Sequence, residues 1–323
     1  MSFLVAGIFS ALAVVTACAP GQAQPKMVRI GYVESGAPGP TAAVVDGFRR
    51  GLREHGWDEG RNASLEVRFA EGDEARIPGL VKELLDTHVD VLLAATTQVT
   101  REAKAATTIT PIVFAGLADP VGAGLVADPA HPGGNLTGTS LMTSHLHGKH
   151  LQLLKETVPT LSRVAVLVNP SGPSVTSIDS LREGAAALRV EPLVFYVSTL
   201  GEIEPALDDA VRQGAEAMIA LPDALFFNDR PRIIGLAGAR SLPDVYWERS
   251  FAEDGGLIAY GGNRAEAFRR AADYVDKILR GARPGDLPME QSSQFDFVVN
   301  TAAQRRLNIT IPPSVADGVT EWL

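Results

Sequence analysis

Residues 91–95 read Val91-Leu92-Leu93-Ala94-Ala95, an apolar run with no alternation. A strand that is apolar on both faces is covered on both faces, which is the place of a central strand in a parallel sheet sandwiched by helices. The flanks agree. A helix is predicted over Ile77–Asp86, with Leu80, Val81, Leu84 and Leu85 at helical spacing, and another over Thr97–Ala106. Further out lie strands at Val28–Val33, Ser64–Phe69 and Pro111–Leu117, and a helix over Thr41–His55 carrying Ala42, Val45, Phe48 and Leu52. Strands and helices alternating in this way argue a doubly wound parallel sheet.

A break rich in Pro and Gly follows, from Asp119-Pro-Val-Gly-Ala-Gly to His131-Pro-Gly-Gly134. The alternation then restarts. Helices are predicted at 146–157, 177–189, 203–213 and 232–240, and strands at 163–168, 192–197, 217–221 and from Val245. The tail adds a strand at 256–260, a long amphipathic helix at 264–280, a strand at 295–299 and a short helix at 302–306, too few elements for a third core. The expected fold class is therefore α/β, with two doubly wound parallel-sheet lobes joined by a multi-crossover hinge. Residues 26–140 and about 255–285 are assigned to lobe 1, and 141–254 and about 286–323 to lobe 2. A cleft between two such lobes is a ligand site by default.

Composition narrows the function. With 46% hydrophobic residues the chain has ample core, and 29 Lys and Arg against 38 Asp and Glu leave no broad basic face for nucleic acid. One Cys excludes a disulfide framework and Cys-rich zinc modules. That Cys sits at a telling place. Residues 1–25 carry no charge, residues 3–17 form a short apolar stretch, and Val15-Thr16-Ala17-Cys18 resembles a bacterial lipobox, whose Cys becomes the lipidated first residue. The other reading is an ordinary signal peptide cut after Gly21-Gln22-Ala23. Both make the chain extracytoplasmic, in the periplasm or at the cell surface, and the lipobox reading adds contact with the membrane through a lipid anchor alone.

A series of segments carries a family likeness. Gly47-Phe-Arg-Arg-Gly-Leu-Arg-Glu54, Gly56-Trp-Asp-Glu-Gly-Arg-Asn62, Asp119-Pro-Val-Gly, His131-Pro-Gly-Gly-Asn-Leu-Thr-Gly138, Arg163-Val-Ala-Val-Leu-Val-Asn-Pro170, Gly255-Gly-Leu-Ile-Ala-Tyr-Gly261, Tyr274-Val-Asp-Lys-Ile-Leu-Arg-Gly281 and Ile311-Pro-Pro-Ser314 stand in order along the chain. The set resembles the ABC-transporter substrate-binding proteins, in the branch that includes tryptophan and tyrosine binders. The resemblance implies a periplasmic-binding-protein type I fold, a ligand held between the lobes, and permease and ATPase subunits as partners.

The site is also readable from the pattern alone. In open α/β sheets ligands lie beyond the carboxyl ends of the strands. Those ends carry Glu34, Ser35 and Gly36, Thr96 and Thr97, Asp119, Asn169, Asp223, Tyr246 and Glu248, and Tyr260 and Gly261. Thr96 and Thr97 open a helix whose free N–H groups suit a carboxylate. Asp119, Asp223 and Glu248 suit an ammonium, and the two Tyr rings suit an apolar or aromatic portion. The expected ligand is a small amino-acid-like solute. Asp before Pro and Thr at a helix start also occur as turns and caps, so part of the set is expected to be structural.

Other motifs carry less. Gly122-Ala-Gly124-Leu-Val-Ala127 has the spacing of a dinucleotide fingerprint, but Asp128-Pro cuts it off before any helix, so no cofactor is expected. His145, His147 and His150 cluster without a fourth ligand and are expected at a solvated helix start beside the hinge, with no metal. No GxSxG, HExxH or P-loop is present, so an enzyme on this scaffold is the weaker alternative. A sensor subunit with the same fold and site is another. A monomer is expected.

Overall fold

The computed structural model describes residues 27–323 except Met142; Cys18 and the apolar leader lie outside the described residues. The chain opens with β1 (Val28–Glu34), α1 (Pro38–Glu54), β2 (Ala63–Phe69), α2 (Ile77–Asp86), β3 (Val91–Ala94), α3 (Thr97–Ala106), β4 (Ile112–Leu117) and β5 (Leu136–Ser140). It crosses to a second lobe built from α4 (His147–Thr157), β6 (Arg163–Val168), α5 (Ile178–Leu188), β7 (Glu191–Tyr196), α6 (Leu200–Arg212), β8 (Ala217–Ala220), α7 (Ala224–Asn228), α8 (Arg230–Ala239), β9 (Asp244–Tyr246), α9 (Arg249–Glu253) and β10 (Ile258–Gly262). It returns to the first lobe for α10 (Arg264–Leu279) and β11 (Glu290–Gln291), then ends in the second with β12 (Phe295–Val299), α11 (Thr301–Arg306), α12 (Pro313–Ala316) and β13 (Glu321–Trp322).

The first sheet has the order β11-β5-β4-β3-β1-β2 and is parallel throughout. All four residues of β3 are fully buried, as its unbroken apolar run requires. The second sheet has the order β13-β12-β10-β9-β8-β6-β7, parallel but for the antiparallel β10–β12 pair. Each sheet has apolar clusters on both faces. The two doubly wound lobes read from the sequence are present, and three crossovers join them.

The lobe boundaries need two corrections. The strand assigned to lobe 1 within 255–285, β10, pairs with β9 and β12 in the second sheet. The residues after 286, assigned to lobe 2, first supply β11, which pairs with β5 in the first sheet. A hydrophobic pattern reports that a strand is buried but not which of two similar sheets it joins.

Helix α10 crosses into the first lobe because its apolar face, Phe268, Ala271, Ala272 and Val275, fills the core beneath α1. Gly47 and Gly51 on α1 make the approach close. A Cβ at these positions would stand 2.5 Å from the carbonyl oxygen of Ala265 and 2.3 Å from that of Arg269. The four-residue spacing puts both glycines on one face of α1, so the Gly47-Phe-Arg-Arg-Gly51 signature is a packing device.

Candidate functional site

The carboxyl ends of the strands of both sheets face each other across a cleft of about 890 Å3, part of it open solvent. From the first lobe, β1 delivers Glu34, Ser35 and Gly36, the β3–α3 junction delivers Thr96, Thr97 and Gln98, and β4 delivers Leu117. From the second, the turn after β8 delivers Asp223, α7 delivers Phe227 and Asn228, and the end of β9 delivers Trp247 and Glu248. Leu141 and Thr143 line it from the first crossover and Arg264 from the second.

Arg264 is the centre of the arrangement. It is the first residue of α10, its side chain 13% exposed, and its guanidinium donates to Glu34 Oε2 at 3.2 Å. It lies over two rings, Phe227 of the second lobe at 5.4 Å and Phe268 of its own helix at 5.2 Å. Burial alone would lower its pKa, but the charges of Glu34, Tyr32 and Glu248 outweigh that and raise it. Glu34 is held on three sides, accepting also from the Tyr32 hydroxyl at 3.0 Å and the Gly36 N–H at 3.3 Å.

The first-lobe wall opposite is the start of α3. Thr96 is the N-cap and its hydroxyl accepts from the Val99 N–H at 3.3 Å. Thr97 is nearly buried, and its hydroxyl has no partner among the described residues. The first-turn N–H groups of a helix have no partner within the helix, so this wall offers donors to an anionic group.

The second-lobe wall is acidic and aromatic. Asp223 accepts from Asn169 Nδ2 at 3.0 Å and, as the N-cap of α7, from the Leu225 N–H at 2.9 Å. Burial pushes its carboxyl up against both hydrogen bonds. Glu248 accepts from the Ser250 N–H at 2.9 Å, and burial pushes it up as well, against that bond and the fields of Arg264 and Arg230. The lobes touch in this structure, since the Asn228 side chain lies within 3.5 Å of where Cβ atoms would stand at Gly36 and Gly72.

Six of the sequence-predicted residues, Ser35, Gly36, Thr96, Thr97, Asp223 and Glu248, meet in this cleft, together with Glu34. Five do not line it. Asn169 stands behind Asp223 and orients it. Asp119 closes a turn, accepting from the Gly122 N–H at 2.8 Å. Tyr246 is a correction: it is fully buried, its ring stacked on Phe251 at 4.2 Å and its hydroxyl donating to Asp244. Successive strand residues point to opposite faces, so Trp247, one residue on, takes the place expected of Tyr246. Tyr260 packs on Phe295 and Phe297. Gly261 passes so close beneath Trp247 that a Cβ would lie 1.7 Å from its carbonyl oxygen. The sequence reading did not identify Arg264, Phe227, Trp247 or Thr143. Only the position of Arg264, at a helix start directly after a crossover, could have signalled it.

The histidine cluster is a second correction. His147 and His150 are buried, not solvated, because α4 turns that face onto the second lobe. His147 Nε2 lies 3.0 Å from Ser177 Oγ, and His150 Nε2 donates to the Tyr260 carbonyl at 2.6 Å. The His145 side chain is outside those described. Among the described residues no group of three or more His, Cys, Asp or Glu is placed to hold a metal ion.

This architecture, with a ligand-sized cleft between paired lobes, has clear relatives. Residues 37–321 match the family of ABC transporter substrate binding proteins. The chain belongs to that family. A curated relative, a tyrosine-binding protein of Clostridioides difficile, is 25% identical over 264 residues, covering 81% of this chain and 76% of its own. A conserved domain protein from Vibrio cholerae superposes with a TM-score of 0.86 at 27% identity, over 92% of this chain and 100% of that one. An ABC domain from Streptococcus pneumonia in complex with L-tryptophan superposes with a TM-score of 0.85 at 22% identity, over the same shares. The fold of this substrate-binding protein is the periplasmic-binding-protein type I fold anticipated from its sequence. Among its described residues no helix is long and apolar enough to cross a membrane.

Proposed function

We propose that this substrate-binding protein captures a small amino-acid-like solute outside the cytoplasm and presents it to the permease and ATPase subunits of an ABC importer. One observation carries the reading. Helix-start donors at Thr96 and Thr97 on one lobe face carboxylates, half-buried Asp223 and buried Glu248, and the rings of Trp247 and Phe227 on the other. A carboxylate, an ammonium and an apolar body each find a counterpart, and each contact set is complete only when the lobes are shut. The relatives that bind tyrosine and tryptophan point the same way.

The test is native mass spectrometry of the protein as purified, followed by calorimetry with amino acids, sugars and nucleosides. A retained amino-acid-like solute and saturable binding of its class are expected. Tight binding of a sugar or nucleoside with no response to amino acids would overturn the ligand class.

Cys18 is proposed as the membrane anchor, since it ends the lipobox-like Val15-Thr16-Ala17-Cys18. Cys18→Ala should move the protein from the membrane fraction to the soluble one. An unchanged distribution would remove the anchor. The protein is proposed to act as a monomer.

A further inference from the structure

The cleft presents more carboxyl groups than a zwitterion can pair. Among the described residues four carboxyl groups line it, Glu34, Glu74, Asp223 and Glu248, against one cation, Arg264. Arg264 is committed to Glu34 at 3.2 Å. Among the described residues, none of the other three makes an ion pair. The hydrogen bonds to Asp223 and Glu248 come from neutral donors, the Asn169 amide and Leu225 N–H for the one and Ser250 for the other, while Arg264 and Arg230 reach Glu248 only through their fields. Glu248 is over nine-tenths buried, and Ser250 is its hydrogen-bond partner. A second feature also awaits a ligand. Thr143, on the first crossover, is 1% exposed, lines the same cleft, and its hydroxyl has no hydrogen-bond partner among the described residues. A buried hydroxyl without a partner is costly unless something else supplies one.

An amino acid at neutral pH brings one carboxylate and one ammonium, so its binding leaves this excess untouched. A metal ion does not resolve it, because the acids are not placed to share one. Trp247 and Phe227 form an apolar wall beside them. We propose that the ligand of this cleft carries a net positive charge, an amine on an apolar or aromatic body, with its cationic group held between Glu74 of the first lobe and Asp223 of the second. This rests on the reading of the cleft as the solute site and revises its ligand class, keeping the ammonium and the apolar body and dropping the need for a carboxylate.

The placement of the two acids gives the charge a role in closure. They stand on opposite lobes, so shutting an empty cleft brings like charges together, while a cation between them turns that repulsion into attraction. The same juxtaposition is felt at Glu74, whose carboxyl is raised by burial and then by the charge of Asp223, with Arg101 opposing. Glu248, Glu34 and Arg264 complete the charged groups lining the cleft.

Calorimetry with matched pairs tests the proposal: tyramine against L-tyrosine, and tryptamine against L-tryptophan, which differ in one carboxylate. At least one amine should bind about tenfold more tightly than its amino acid. Glu74→Gln and Asp223→Asn should each weaken that amine by about tenfold or more, as expected for loss of one charge partner, with melting temperatures near wild type because Asn retains the cap of α7. Amino acids binding as tightly as their amines, or amine binding indifferent to both substitutions, would overturn the charge proposal and leave the solute-binding reading standing. Silence from all four probes would overturn both.

Discussion

Arg264 Nη2 and Glu34 Oε2 stand 3.2 Å apart, tying the first residue of α10 to the last residue of β1 across 230 positions of sequence. Glu34 is 2% exposed, so it depends on that guanidinium. Arg264→Met should destabilise the protein by about 3–5 kcal/mol, the usual cost of leaving a buried charge unpaired. Adding Glu34→Gln to it should recover most of the loss. Urea unfolding of the two variants checks both. A single variant as stable as wild type would show that the pair contributes nothing.

Gly261 supports the site from below. With its Cβ position 1.7 Å from the Trp247 carbonyl oxygen, Gly261→Ala must push β10 away from the end of β9. Overpacking of this kind costs about 1–3 kcal/mol. The displaced segment carries Trp247 and Glu248, so ligand affinity should fall along with the melting temperature. Calorimetry beside thermal unfolding separates the two effects.

Two buried groups give stability opposite pH slopes. Burial raises Asp244 to about 6, against hydrogen bonds from the Leu257 N–H and the Tyr246 hydroxyl. The folded state therefore binds this proton more tightly than the unfolded chain, at about 3.9. The contribution is present in acid and is lost as pH rises through about 6. Burial lowers His150 to about 4, against an unfolded value of about 6.5. Its contribution is present above about 6.5 and is lost as pH falls toward about 4. Each is of order 3 kcal/mol, so these two contributions nearly cancel one another. Relative to wild type, Asp244→Asn should shift the slope of stability with pH between 4 and 6 upward, and His150→Gln should shift it downward. Denaturant midpoints across that range read the signs directly.

Ligand should compact the molecule. Both cleft walls contribute contacts, and Asn228 of the second lobe meets Gly36 of the first, so ligand should shift the population toward the closed form. Solution scattering should show a smaller radius of gyration with ligand, and the melting temperature should rise. Stabilisation without compaction would place the ligand on one lobe alone.

Much of this was legible in the sequence because burial on both faces leaves a plain mark. The bounds of α2 follow from apolar spacing alone. Strand β5, Leu136–Ser140, left no such mark. It is four-fifths Thr, Gly and Ser, and it is buried because β4, β11 and α10 cover it rather than because it is apolar. In the site, the strand-end rule found the residues that end strands but not the side each one faces, hence Tyr246 in place of Trp247. Arg264 escaped because its role depends on where a crossover deposits a helix, and local sequence does not encode that.

That crossover also sets an order of events during synthesis. Helix α10 supplies the floor of the first lobe, yet it lies after every helix and strand of the second lobe up to β10. A nascent chain that has emerged as far as Gly262 carries β1 to β5 with the apolar face under α1 still bare. The second lobe lacks only its final strands and two short helices at that stage. The lobe that begins first therefore waits, exposing Phe48 and Val45 until Phe268 and Val275 arrive, and its aggregation hazard is concentrated in that interval.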